Sequence, residues 1–242
     1  MNNSKKISIF YHVATMNNYQ EVFDDFIKHV KNSGLYNKIQ KIYLCIVGSN
    51  DLINVPKKCE IIYKSKNIEE YEFPTIQKLW DYCKNTKEEE YILYCHTKGV
   101  SVKNYPKERA FLWKDMMTHF CVDEYEQCIM KLNNNCDLCG CGFVNNPLSH
   151  YNGNFWWAKS SYIKKLKQIK KSENRFDCEM WVGMQNPNYS DLFPYKDGFH
   201  LPESQQNYIQ YESNKNTEKS KSWSPLGALL RNSKKDATGI VI

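Results

Sequence analysis

The chain has 242 residues, 41% of them apolar and 14% aromatic, and a formal charge of +6 at neutral pH. That length suits one large α/β domain with a sizeable core, while basic residues scattered as single lysines and short pairs argue against a dedicated nucleic-acid surface. No stretch is long and apolar enough to span a bilayer, and the opening MNNSKKISIF lacks the apolar segment of a secretory leader, so neither a transmembrane segment nor a leader is expected. Ten cysteines, several inside apolar runs (Cys45, Cys95, Cys141), suit reduced thiols and a cytoplasmic setting.

Residues 6–13 (KISIFYHV) read as a first strand. Residues 19–33 read as a helix, with Val22, Phe23, Phe26, Ile27 and Val30 on one face, and Gly34 stands where a helix-ending glycine belongs. Residues 41–47 are a second strand ending at Gly48-Ser49-Asn50-Asp51, and residues 59–63 a short third. Pro74 and Thr75 open a helix whose buried stripe is Ile76, Leu79, Trp80 and Cys83. Residues 91–96 form a continuous apolar run, the pattern of a parallel strand covered on both faces. Residues 107–132 are helical in two pieces, 136–144 a strand, 145–153 a loop, 154–159 a strand feeding a helix near Ser160, and 175–183 a short helix. This alternation predicts an α/β fold, a mostly parallel central sheet flanked by helices. The pattern weakens from about Gly198. Residues 213–224, rich in Lys, Asn and Ser, read as loop or mobile chain, and the apolar residues in 224–230 and 239–242 read as packing back. The expected layout is a domain over 1–200 and a C-terminal extension over 201–242.

Four stretches carry candidate chemistry. His96-Thr97-Lys98-Gly99 follows the central strand, where open α/β sheets bind ligands; it is either an anion clamp, with Lys98 as point charge, or a polar turn. Residues 145–157 (NNPLSHYNGNFWW) set aromatic faces beside amide and imidazole groups, which suits a sugar ring; the alternative is a hairpin held by Asx turns. Asp177 and Glu179 in DCEMW sit among apolar residues, as a general base would, and equally as acids at a helix start would. Cys136, Cys139 and Cys141 hint at metal, but no second Cys or His pair follows at zinc spacing, which favours a buried strand. His12 and residues 49–51 end strands on the same expected edge, and His200 is a weaker candidate. No dinucleotide-binding, P-loop, nucleophile-elbow or H-E-x-x-H signature occurs.

From residue 6 to 197 the chain resembles a glycosyltransferase of the GT-A type. It is similar to the small sugar transferases of large DNA viruses and of bacterial polysaccharide clusters, including those related to rhamnan-synthesis proteins. The resemblance rests on FYHVAT, EFPTIQKLWDYC, YILYCHTKG, SHYNGNFWWAKSSYIKKL and RFDCEMWVG. It implies a single GT-A-like (Rossmann-like) domain that moves a hexose or deoxyhexose from a nucleotide-sugar donor (UDP-, GDP- or dTDP-linked) to a hydroxyl of a glycan or glycoprotein, by inverting single displacement. Tyr11, His12, Ala14, Ser49, Asn50, Thr75, Lys78, His96, Thr97 and Lys98 would border the donor. Asn145, His150, Tyr151, Asn154, Trp156, Trp157 and Trp181 would hold sugar or acceptor, and Glu179, with Asp177 second, would be the base. GT-A enzymes usually end the central strand in a D-x-D motif that holds a divalent cation, Mn or Mg, on the diphosphate. This chain has Cys95-His96-Thr97-Lys98 there, without a carboxylate for a hard cation. No cofactor is therefore assigned, and Lys98, with His96, is expected to supply the positive charge. The alternative reading is a non-catalytic protein that binds nucleotide-sugars or carbohydrate.

Overall fold

A computed structural model describes residues 5–101, 107–195 and 202–218. The chain divides into two compact units, Met1–Phe199 and His200–Ile242. The first contains β1 (Lys6–Ala14), α1 (Tyr19–Asn32), α2 (Leu35–Lys38), β2 (Lys41–Val47), β3 (Cys59–Ser65), α3 (Phe73–Asn85), β4 (Glu90–His96), α4 (Lys107–Thr118) and α5 (Tyr125–Asn133). It continues with β5 (Leu138–Gly140), β6 (Phe143–Val144), β7 (His150–Tyr151), β8 (Trp156–Lys159), α6 (Ser160–Ile163), α7 (Asp177–Met180) and β9 (Tyr189–Asp191). A 3₁₀ turn, Ile68–Glu70, precedes α3, and a π-helical turn, His119–Asp123, joins α4 to α5. The second unit contains α8 (Pro202–Glu218). Residues 213–218, read from composition as loop, therefore belong to a helix. Lys103–Tyr105, His200 and residues 219–242 lie outside the described residues.

Seven strands make one mostly parallel sheet in the order β3-β2-β1-β4-β8-β5-β9, an α/β arrangement compatible with a Rossmann-like fold. The strand predicted over 136–144 is two pieces. β5 joins the main sheet, whereas β6 pairs with β7 in a separate two-stranded ribbon. Only β8 runs against its neighbours, antiparallel to both β4 and β5. The chain builds outward from β1 through β2 to β3, then returns to place β4 on the other flank of β1. The order thus reverses between β1 and β4, and such a switch point leaves a crevice outside the carboxyl ends of the strands. His12 and His96 are register partners across it.

Alternation along β1 sends Phe10 and His12 toward α3 and Tyr11 toward α1. Tyr11 packs 4.3 Å from Phe26 and 5.8 Å from Phe23, ring centre to ring centre. All five apolar residues of the predicted α1 stripe are buried. Gly34 has φ +81° just past the α1 C-cap, a left-handed conformation that glycine adopts without a Cβ penalty. On the opposite face, Phe10, Ile76, Leu79, Ile92, Tyr94, Trp156, Tyr162 and Trp181 form one core.

Candidate functional site

The crevice at the switch point is built by short clips between strand ends. The Thr97 amide donates to His12 O (3.0 Å), and the Ala14 amide donates to Thr97 Oγ1 (2.9 Å), which locks the end of β4 to the end of β1. The Asn17 side chain donates to Val100 O at 2.5 Å, tying together the loops beyond the two strands. His12 Nδ1 lies 2.8 Å from Thr75 Oγ1 in the first turn of α3. Thr97 and Thr75 are buried. Their hydroxyls hold the frame of the site.

Because β8 is antiparallel, residues 153–155 enter the sheet at the edge where β1 and β4 leave it. Gly153 has φ +93°, and a Cβ there would meet Met117 Sδ at 2.6 Å and the Trp113 ring at 3.1 Å. Asn154 follows at φ +60°, a region asparagine tolerates better than most residues. This turn aims Gly153 O at His96 Nε2 (3.0 Å) and the Gly153 amide at Glu179 Oε2 (3.3 Å). A carbonyl only accepts, so the His96 proton resides on Nε2. The Asn154 amide donates to Glu72 Oε2 (2.7 Å), and its Oδ1 accepts from Trp156 Nε1 (2.7 Å). The Tyr94 hydroxyl bonds the same Glu72 oxygen at 2.5 Å. The other carboxylate oxygen is 4.0 Å from His96 Nδ1.

Glu72 had no role assigned from sequence. Its only signal was its place at the head of EFPTIQKLWDYC. It stands at the N-cap of α3 without capping it, because its side chain turns toward Tyr94 and Asn154. Tyr71 before it has φ +49°, a strained conformation for a bulky residue.

Burial pushes His12 and His96 down to about 4 from an ordinary 6.5; the Lys98 charge adds to the effect on His96. Both imidazoles are neutral at neutral pH, so the Glu72–His96 approach is not an ion pair. Burial also lowers Lys98, against the opposing pull of Glu179 and Glu72. The Lys98 ammonium lies 3.9 Å from the centre of the Trp113 ring and, among the described residues, makes no hydrogen bond or ion pair.

The depressed histidines make stability pH-dependent. Below about 6.5 the unfolded chain takes up protons that the folded chain refuses until about 4. Stability is therefore full above that range and falls as pH drops through it, by about 3 kcal/mol per histidine. Urea unfolding between pH 7 and 4.5 is expected to show this slope, and His96→Gln is expected to remove about one proton's share of it. An unchanged slope in that variant would contradict the neutral, buried imidazole.

Other predicted site residues fall elsewhere. Tyr11 is sealed beneath α1, away from the crevice. Ser49 and Asn50 are exposed at the end of β2, where the Asn50 amide donates to Thr15 Oγ1 (3.3 Å). Lys78 is exposed on α3 and lines two surface clefts. One, of about 390 Å³, runs along Phe10, Tyr43 and Tyr82; the other, of about 380 Å³, is lined by Tyr63, Phe73 and Lys171.

The largest departure concerns the aromatics read as sugar platforms. Trp156 stacks on Tyr94 at 5.0 Å and 17°, and Trp157 on the opposite face donates to Cys121 O at 2.7 Å. Trp181 donates to Lys167 O at 2.8 Å and Tyr151 to Ser190 O at 2.8 Å. All four rings are buried, and they are core residues because helices cover both sheet faces. Asn154 is wholly buried and orders Glu72, offering nothing to a ligand. His150 is buried with Nδ1 2.7 Å from Leu148 O, and the exposed Asn145 accepts from Ser149 Oγ at 2.9 Å, a side-chain bond that closes the loop on itself. Asp177 accepts from Ser172 Oγ (2.6 Å) and Asn174 Nδ2 (2.9 Å), so it secures the turn into α7. Glu179, two residues later, faces the crevice. Among the described residues no group of three or more His, Cys, Asp or Glu is arranged to hold a metal ion, and no helix is long and apolar enough to cross a membrane.

A family model described as "Domain of unknown function (DUF8361)" matches residues 10–221. The chain belongs to the DUF8361 family. The match runs from inside β1 to just past α8, so the residues that form the crevice of this DUF8361 chain all lie within it. No curated protein matches the chain.

Proposed function

We propose that this protein is a glycosyltransferase of GT-A type that moves a sugar from a nucleotide-sugar donor to a hydroxyl acceptor. The observation that carries the reading is the Lys98 ammonium at the carboxyl end of β4. It is partly enclosed at the sheet's switch point, rests on a ring, and is matched by no hydrogen bond or ion pair among the described residues. A desolvated cation at that location suits an anionic leaving group, whose growing charge it would stabilise as the sugar–phosphate bond breaks. Neutral His12 and His96 leave that charge to Lys98.

Glu179 is the general base in this reading. One of its oxygens takes the Gly153 amide at 3.3 Å, and the other has no hydrogen bond, so the carboxylate is oriented yet able to accept the acceptor hydroxyl's proton. Glu72 is held by two donors and is better suited to positioning His96 and the 153–155 turn. The donor lies over the ends of β1, β2 and β4, and the acceptor approaches from the side of α7.

Thermal melts with UDP-, GDP- and dTDP-sugars test the donor class, because a ligand that binds only the folded state raises the melting temperature. At a hundred times its dissociation constant a donor contributes about 2.7 kcal/mol. Transfer assays of the stabilising donor, with and without chelator, separate catalysis from binding. Stabilisation without product in any acceptor mixture would make the protein a binder. Activity lost in chelator and restored by Mn²⁺ or Mg²⁺ would refute a positive charge supplied by the chain alone.

A further inference from the structure

Lys98 is not alone in lacking an anion. Arg175 precedes α7, and the Cys178 amide bonds its carbonyl (3.2 Å) as the chain turns into the helix. Glu179, within α7, holds the Gly153 amide, and Gly153 O holds His96, so the short helix that Arg175 leads into borders the crevice. The guanidinium lies 5.0 Å from the centre of the exposed Phe176 ring and, among the described residues, makes no hydrogen bond or ion pair. The Arg175 charge also disfavours the protonated forms of Lys98 and His96.

The nearby carboxylates do not neutralise these cations. Glu72 is bonded to Tyr94 and Asn154, and Glu179 to the backbone of Gly153. Neither comes within ion-pair distance of Lys98 or Arg175, although both lie close enough to offset the lowering of Lys98. Each cation instead rests on an aromatic face, which fixes the side chain while its N–H donors stay available. Two unpaired cations, one an enclosed point charge and one an exposed planar fork, face one polar crevice. A single phosphate would satisfy one of them; two linked phosphoryl groups would engage both.

We propose that Lys98 and Arg175 together form a binding site for a diphosphate-class anion, with Lys98 at the inner phosphoryl group and Arg175 gripping the outer one through paired N–H donors. Its biological ligand, a nucleoside diphosphate, rests on the transferase reading; its chemistry does not. Binding requires no divalent cation, because both positive groups belong to the chain.

Titration calorimetry of the full chain with inorganic pyrophosphate in the presence of EDTA tests the site, with orthophosphate as comparison. The expected result is one pyrophosphate per chain, bound at least tenfold more tightly than orthophosphate and weakened by salt. Arg175→Gln and Lys98→Met are each expected to weaken pyrophosphate tenfold or more, with Arg175→Lys intermediate. Arg175 is exposed, so folding of its variants is safe, and melting curves control for Lys98→Met. The proposal falls if pyrophosphate does not bind without metal, if orthophosphate binds equally well, or if Arg175→Gln binds like the wild type. The transferase reading fails separately: pyrophosphate bound and lost in Arg175→Gln, with no sugar donor stabilising the protein or yielding product, keeps the anion site and removes the transferase. Sugar transfer with pyrophosphate binding insensitive to Arg175 does the reverse.

Discussion

Glu179→Gln is expected to lower sugar transfer by about 10²–10⁴-fold while donor binding stays near wild type. The amide keeps the oxygen that accepts the Gly153 N–H at 3.3 Å, so the 153–155 turn and its contact with His96 survive. What disappears is the ability to accept a proton. Donor affinity read by thermal shift, beside the turnover rate, separates the two effects. Glu72→Gln is the informative comparison. Glu72 Oε2 takes donors from Tyr94 and Asn154, so this change is expected to disturb packing and the melting temperature more than the chemical step. A Glu179→Gln protein that turned over normally, beside a folded but inactive Glu72→Gln protein, would move the base to Glu72.

Trp156→Ala is expected to cost about 3–5 kcal/mol of stability, the usual penalty for emptying a buried aromatic site. In a domain of this size that lowers the melting temperature by roughly 10–15 °C. The ring is fully buried against Tyr94, and its indole N–H occupies Asn154 Oδ1. Truncation therefore leaves a cavity and an unsatisfied buried oxygen, and loosens the amide that holds Glu72. Trp156→Phe, which keeps most of the packing and loses only the N–H, is expected to fall between. A sugar-stacking residue would behave oppositely, losing affinity at constant stability. Melting curves of the two variants decide between core and platform.

Much of the first unit was legible because its signals are local. The helical stripe of α1, the apolar run of β4 and the proline near the start of α3 each report on their own neighbours. The end of β4 at the switch point was legible for the same reason, since a strand that stops at His-Thr-Lys-Gly shows where its polar end points. The two tryptophans were misread because strand alternation says only that they face opposite ways. Whether each face is covered depends on Tyr94 for one ring and on the π-helical turn at Cys121 for the other. Glu72, Arg175 and Trp113 were given no role because nothing local to them, not even the quoted stretches that begin at Glu72 and Arg175, reports what they face. They acquire roles only when α3, α7 and α4 are brought to one edge, about a hundred residues of chain apart. In α8, a polar composition outweighed a helix that has little apolar face to reveal it.

The reversed direction of β8 bears on how the molecule comes into being. Strands β1 to β4 are complete once residue 96 has been made, yet the outer flank of β4 is filled only by residues 156–159. β5 lies earlier in the chain but reaches the sheet only through β8. During synthesis, β4 therefore waits through some sixty residues with one row of backbone donors and acceptors unpaired, the kind of open edge that invites wrong partners. The same late arrival delivers Gly153 and Asn154. The closing of the sheet and the assembly of the crevice are one event, and an N-terminal fragment ending before β8 has neither.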